Sequence, residues 1–243
     1  MKGVVLAGGT GSRLMPITKV TNKHLLPVHD RPMIYYPLET LKKAGVTNVL
    51  IVTGAESAGD FLKLLGSGKD FGMSFTYRVQ DEAGGIAQAL GMAEDFVAND
   101  KCVVILGDNI IEDDIGPAVK AFDKSNGGAL VFIKEVPDPK RFGVPIIEGG
   151  KITAIEEKPK NPSTNFAVTG VYLYDNTVFD IVKSLKPSGR GELEITDVNN
   201  HYIKTGKLTH AELKGYWTDA GTFPSLFRAT TLVAESEGLK AGK

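Results

Sequence analysis

Gly3-Val4-Val5-Leu6-Ala7-Gly8-Gly9-Thr10-Gly11-Ser12-Arg13-Leu14 stands almost at the start of the chain, and the rest is read outward from it. The apolar run Gly3–Ala7 predicts a strand, and the glycines behind it predict a turn at that strand's carboxyl end. Glycine lets the main chain approach phosphate oxygens and take positive φ, so Gly8–Gly11 suits a phosphate loop as well as an ordinary strand-to-helix turn. Arg13 tips the balance toward phosphate, because a guanidinium forks onto two oxygens at once. No Gly-Lys-Ser/Thr follows, which excludes a Walker A loop. Leu14 stands where a dinucleotide fingerprint needs its third glycine.

Strand and helix patterns alternate after this turn. Met33–Ala44 predicts a helix, with Pro32 near its first position, Gly45 past its end and Pro37 predicting a bend. Strands follow at Asn48–Val52, Ser74–Val79 and Cys102–Leu106, separated by a helix through Phe61, Leu62 and Leu65 and another over Ile86–Ala93. Such alternation predicts an α/β fold with a mostly parallel sheet covered on both faces. The second half is less regular. Strands are predicted at Ala129–Lys134, Val144–Ile147, Ile152–Glu156 and Phe166–Tyr174, with Gly149-Gly150 as a hairpin turn. Val178, Ile181, Val182 and Leu185 share one helical face, and helices are expected over Glu194–Thr205 and Phe223–Glu237. Gly238–Lys243 reads as a frayed tail. With no repeat and no low-complexity linker, one domain spanning 1–243 is the simplest count.

Composition narrows the function classes. The 243 residues are 42% hydrophobic and 23% charged, with a formal net charge of −1. No basic run suits a nucleic-acid backbone, whereas a small phosphate ligand needs only a few placed cations. No apolar stretch reaches the roughly 18 residues that cross a bilayer, and the first residues lack a secretory pattern, so a cytoplasmic protein is expected. The one cysteine, Cys102, lies in an apolar run and is expected to be buried and inert.

A second motif, Lys19-Val20-Thr21-Asn22-Lys23-His24-Leu25-Leu26-Pro27, places Lys23 in a short loop within reach of an α-phosphate. Together the two strings resemble the signature of the sugar-phosphate nucleotidyltransferases, Gly-Gly-x-Gly-x-Arg-Leu followed by Lys-x-Leu-Leu-Pro. The resemblance is to glucose-1-phosphate thymidylyltransferases and runs over nearly the whole length. Gly84–Ala89, Leu106–Asn109, Glu156–Pro159, Val168–Tyr172, Gly189–Asp197 and Trp217–Gly221 follow in the family's order. It implies a Rossmann-like three-layer α/β/α fold with a mostly parallel mixed sheet, of the nucleotide-diphospho-sugar transferase type. A nucleotide-binding half would span about 1–110, and a sugar-binding half about 111–237.

Each string also has a physical reading. Asp108 follows a buried strand at Gly107, where open α/β sheets bind ligands, and Asp219 lies at a second strand–turn junction. Two carboxylates with phosphate oxygens make the hard oxygen site that Mg²⁺ prefers. The resemblance assigns that metal to Asp108 and Asp219; the neighbouring Asp113 and Asp114 fit an ordinary Asx-turn. For the nucleotide it implies Leu6, Gly8, Gly9, Thr10, Gly11, Ser12, Arg13, Lys23 and His24, with Gln80 and Gly85 at the pyrimidine edge. For the sugar phosphate it implies Asn109, Gly143, Glu157, Lys158, Val168, Tyr172, Arg190 and Trp217. Arg13, Lys23, Asp108, Lys158 and Asp219 form the implied catalytic set. Trp217 is open to a second reading as plain core.

The chain departs from the pattern at His24, where many relatives carry Gln, and at Phe142, where many carry Tyr. Longer members continue for several tens of residues past the region matching Leu239 into a regulatory extension, whereas this chain stops at Lys243, so it resembles the short form and feedback through that region is not expected. The implied reaction joins dTTP and glucose 1-phosphate with loss of pyrophosphate. A UTP-using enzyme is the near alternative, and a non-catalytic nucleotide-sugar sensor the distant one. A homodimer or homotetramer is expected, with no nucleic-acid or membrane partner.

Overall fold

A computed structural model describes residues 1–238. Its centre is a seven-stranded sheet, ordered Leu208–Glu212, Ala129–Glu135, Phe166–Tyr174, Cys102–Leu106, Lys2–Ala7, Asn48–Gly54, Ser74–Gln80. Phe166–Tyr174 runs antiparallel to both its neighbours, and every other pairing is parallel. The sheet is therefore mixed and mostly parallel, in a Rossmann-like three-layer arrangement: the alternation of elements predicted the parallel majority and the family resemblance implied the rest.

Alternation along each strand builds two cores. In Lys2–Ala7, Val4 and Leu6 face one layer while Val5 and Ala7 face the other; in Cys102–Leu106, Cys102 and Val104 oppose Val103 and Ile105. Ile86–Gly91, Val178–Ser184 and Ile195–Lys204 cover the first face, through residues such as Leu90, Phe179 and Val198. Tyr35–Lys43, Ala58–Leu65 and Gly116–Asp123 cover the second, through Leu41, Phe61 and Phe122. Both faces are dry, which explains the nearly continuous apolar strand sequences. Cys102 is fully buried, and desolvation pushes its thiol up to about 12, so it stays an unreactive thiol.

Several expected elements shift for local reasons. The helix expected over Met33–Ala44 runs from Tyr35 to Lys43, because Met33 and Ile34 donate their N–H groups back to Leu26 and His24. Pro37 then occupies the third helical position, where an N–H has no intrahelical acceptor, and the expected bend loses its cause. The helix expected over Ile86–Ala93 stops at Gly91 and is followed by a short one, Glu94–Val97. Gly149 and Gly150 form the hairpin turn at φ 56° and 75° between Gly143–Glu148 and Lys151–Glu157. The helix Gly116–Asp123 and the edge strand Leu208–Glu212 had no clear signal in the sequence. The predicted tail beyond Gly238 lies outside the described residues. Among the described residues no helix is long and apolar enough to cross a membrane.

Two short ribbons position the site. Trp217–Asp219 pairs antiparallel with Asn109–Ile111, setting Asp219 opposite Asn109. In the hairpin, Glu157 lies opposite Gly143. A third core, with Leu14, Ile110, Ala220 and Ala229, packs the helix Phe223–Ser236 beneath the glycine-rich loop.

Candidate active site

Lys2–Ala7 and Cys102–Leu106 are adjacent parallel strands at the point where the strand order reverses, and open α/β sheets bind ligands at that crevice. A cleft of about 420 Å³ opens there. Leu6, Gly8, Gly9, Thr10, Arg13, Lys23, His24, Gln80 and Gly85 all line it. Asn109, Gly143, Glu157, Lys158, Val168, Tyr172, Arg190 and Trp217 line it too, together with Asp108 and Asp219. Two expected nucleotide contacts, Gly11 and Ser12, do not line the cleft. Gly11, at φ 66°, turns the chain against Thr18, whose hydroxyl donates to its carbonyl at 2.9 Å. It shapes the loop from behind, and Ser12 opens the short helical turn Ser12–Leu14 that follows.

The central charges are paired across elements. Lys23 Nζ lies 2.5 Å from Asp108 Oδ2, joining the glycine-rich half to the sheet's carboxyl end. Burial raises the cost of charge on Asp108, but Lys23 overrides it and holds the carboxyl well below the usual carboxylate range. Asp219 is raised instead, first by burial and then by the negative charge of Asp108. Arg141 offsets part of this, with Nη2 at 3.1 Å from Asp219 Oδ2. Gly221 marks where the groups converge. A β-carbon there would lie 3.0 Å from Arg13 Nη2, 3.4 Å from Asp108 Oδ2 and 3.5 Å from Asp219 Oδ2. The missing side chain thus leaves a cradle bounded by two buried carboxylate oxygens, a donor set that fits a hard divalent cation.

Asn109 is a clasp more than a ligand contact. Its Oδ1 accepts from Trp217 Nε1 at 2.7 Å and Gly170 N at 2.8 Å, while its Nδ2 donates to Asp108 Oδ1 at 2.9 Å. The Gly170 bond anchors Asn109, and the other two orient Asp108 and Trp217. The Trp217 ring is both core and wall: it is 9% exposed, lines the cleft and meets Phe142 edge to face at 5.0 Å between centroids. His24 is buried behind the glycine turn, its Nδ1 at 2.7 Å from Asn22 Oδ1 and its ring where a Gly107 side chain would stand. Burial and then Lys23 lower its pKa to about 3, so the ring is neutral.

Around the hairpin, Thr196 Oγ1 donates to Glu157 Oε2 at 2.6 Å, and Glu157 Oε1 lies 3.3 Å from Lys158 Nζ and 3.4 Å from Arg190 Nη2. Arg190 is held mainly by Glu194, at 2.8 Å. Lys158 takes φ 45°, a left-handed conformation that costs a non-glycine residue about 1–2 kcal/mol. The hydrogen bond from its N–H to the Phe142 carbonyl, 3.0 Å, helps hold it there. Asp114 accepts from the Gly116 N–H two residues on, the local turn read for it, whereas Asp113 accepts from the N–H groups of Lys214 and Gly215, a long-range contact that the Asx-turn reading did not include.

Arg141 and Thr196 were not among the expected site residues. Arg141 lies in the polar turn Asp138-Pro139-Lys140-Arg141, where a cation reads as solvated; only the fold brings it to Asp219. Thr196 sits in a quoted motif but at the buried start of a helix, where a hydroxyl carries no distinct signal.

Comparison with known proteins agrees with this geometry. The family model described as nucleotidyl transferase matches residues 2–236. The chain is 45% identical to the glucose-1-phosphate thymidylyltransferase of Neisseria meningitidis serogroup A, over 99% of this chain and 85% of that one. A Bacillus anthracis crystal structure in complex with a sucrose, assigned provisionally as a glucose-1-phosphate thymidylyltransferase, superposes with a TM-score of 0.93 at 60% identity. That match covers 100% of this chain and 98% of the other. A UDP-glucose pyrophosphorylase in complex with UDP-glucose superposes with a TM-score of 0.84 at 27% identity, covering 97% and 98% of the two chains. The chain belongs to the nucleotidyl transferase family.

Proposed function

We propose that this chain is a glucose-1-phosphate thymidylyltransferase, joining dTTP and glucose 1-phosphate to give dTDP-glucose and pyrophosphate. The observation that carries the reading is the convergence of Arg13, Asp108 and Asp219 around Gly221, between a glycine-rich loop and a hydroxyl-reading carboxylate, Glu157. The high identity to thymidylyltransferases, against 27% to a UDP-glucose enzyme, supports dTTP over UTP.

In this reading a phosphate oxygen of the sugar 1-phosphate attacks the α-phosphorus of the triphosphate. One P–O bond forms and the bond to the bridging β-phosphate oxygen breaks, so pyrophosphate leaves with the electron pair. Both reactants are already anionic at neutral pH, and no residue needs to remove a proton. Positioning and charge stabilisation are then the whole task. The glycine loop carries the phosphates on backbone N–H groups, and Arg13 and Lys23 take charge from the triphosphate. Lys158 and Arg190 let a second anion approach it, and Glu157 accepts hydrogen bonds from sugar hydroxyls. Asp108 and Asp219 would hold Mg²⁺, which supplies Lewis-acid neutralisation of phosphate charge. A buried unreactive thiol at Cys102 disfavours a covalent nucleotidyl-enzyme. We place the reaction in the cytoplasm, in a homo-oligomer.

Purified protein given dTTP, glucose 1-phosphate and Mg²⁺ should release pyrophosphate. Asp108→Asn should cut the rate by a factor of about 10²–10³, the loss expected when one electrostatic contact to the reacting phosphate is removed. An Asp108→Asn enzyme of undiminished rate would sink both the metal assignment and the role of the cradle.

A further inference from the structure

We propose that Gln88, which does not itself line the cleft, sets the pyrimidine preference by locking the amide of Gln80. The peptide N–H of Gly84 donates to Gln88 Oε1 at 3.0 Å. A peptide N–H can only donate, so the Gln88 atom at that place is its oxygen. That oxygen lies 2.7 Å from the terminal amide of Gln80, which must therefore turn its Nε2 toward it and donate. Gln80 Oε1 is left as an acceptor with no protein partner among the described residues. It stands over the α-carbon of Gly8, where a β-carbon would collide with it, and both residues line the cleft. Polarity thus passes from a backbone N–H through two side-chain amides to the cleft wall.

The device is built into a fixed loop. Leu193 N donates to the Gly84 carbonyl at 2.8 Å, and Ala87 N donates to the Leu193 carbonyl at 3.1 Å. A β-carbon on Gly84 would overlap the Gln88 amide, so a side chain there would push that amide out of its place. Gly85 takes φ 103° against the Leu193 backbone, a conformation that glycine adopts without strain. Gln88 itself is placed by the helix Ile86–Gly91 that this loop starts.

The chemistry follows from the base edges. Thymine and uracil carry an N3–H donor between two carbonyls; cytosine carries an N3 lone pair beside an amino group. A fixed acceptor pairs with the first and opposes the second, and the 5-methyl group plays no part. The inference rests on the proposed reading that a pyrimidine nucleotide binds against Gln80, and it narrows the substrate to bases with an imide edge.

The test measures kcat/KM for dTTP, UTP and dCTP, and calorimetric Kd for dTTP and dCTP, on the wild type, Gln88→Leu and Gln88→Glu. Leu frees the Gln80 amide to turn over. Its dTTP-to-dCTP ratio should fall at least about tenfold, in KM and Kd, while the dTTP-to-UTP ratio holds. Glu can only accept at that position and should keep the wild-type ratio. If Gln88→Leu weakens both triphosphates alike, or Gln88→Glu loses the ratio as Leu does, Gln88 is merely structural. A wild type without preference for dTTP over dCTP would instead overturn the thymidylyltransferase reading itself, so the two failures are separable.

Discussion

Gly221→Ala separates the chemistry of the cradle from the stability of the fold. Gly221 is buried, and its φ lies outside the left-handed range, so alanine fits the backbone without strain. The new methyl would meet Arg13 Nη2 at 3.0 Å, the far end of an exposed and flexible side chain that can yield by a few tenths of an ångström. Alanine also restricts the unfolded chain, a gain of about 0.4–1 kcal/mol that offsets the displacement. Net stability should therefore change by less than about 1 kcal/mol. Activity should not be spared. The methyl stands 3.4 and 3.5 Å from the two carboxylate oxygens, inside the space proposed for the divalent cation that would neutralise phosphate charge. Shifting reacting groups by 1 Å costs about 10²-fold, and losing an electrostatic contact about 10²–10³-fold. Pyrophosphate release and urea unfolding, measured on the same preparation, give the two numbers. Full activity with unchanged stability would refute the cradle as the reaction centre. A stability loss above about 3 kcal/mol would show that the glycine serves the backbone instead.

Two further substitutions probe the neighbouring devices. His24 has its pKa lowered to about 3 by burial and Lys23, so the unfolded chain takes up a proton that the folded chain refuses; stability is full above the unfolded value near 6.5 and falls as pH drops from there toward 3. Linkage gives about 2 kcal/mol lost at pH 5, and His24→Gln should remove that component, read from urea midpoints at pH 7 and pH 5. Equal acid sensitivity in the variant and the wild type would contradict the buried neutral ring. Thr196→Val keeps the shape but deletes the donor to Glu157 Oε2, and should raise KM for glucose 1-phosphate about 3- to 10-fold while KM for dTTP holds. A parallel rise in both would place Thr196 outside the sugar end.

Much of the site was legible because its parts lie at strand ends. A continuous apolar run such as Cys102–Leu106 predicts a buried strand, and a carboxylate two residues past its end must stand at the ligand-binding edge of the sheet. The same logic located Gly8–Arg13 after Gly3–Ala7. Contacts set by tertiary register were not legible. Asp219 reaches Asp108 because Trp217–Asp219 pairs with Asn109–Ile111, and three-residue strands carry too little pattern to be read. Arg141 depends on that register in turn. Lys158 could not be foreseen at positive φ, since nothing in Glu157-Lys158-Pro159 demands it. Gln88 was visible within a quoted string, but its role depends on an amide orientation that only Gly84 and Gln80 define.

The charge inventory explains why these tertiary contacts matter for catalysis. Asp108 and Asp219 are nearly buried, and an unpaired buried carboxylate is strongly disfavoured. Each therefore draws a cation from a distant element, Lys23 for one and Arg141 for the other. Glu157 likewise shares Lys158 and Arg190. Among these cations and Arg13, only Arg13 has no carboxylate partner among the described residues. In the proposed reading, a triphosphate entering over the glycine loop would meet Arg13 as an uncommitted charge, but would gain Lys23 only by sharing that lysine with Asp108. A divalent cation held by Asp108 and Asp219 would resolve the exchange, because it replaces the positive charge the carboxylate loses as Lys23 turns to phosphate. The 2.5 Å contact between Lys23 and Asp108 is thus the hinge of the electrostatics: it keeps a buried carboxylate paired and leaves a cation beside the glycine-rich loop.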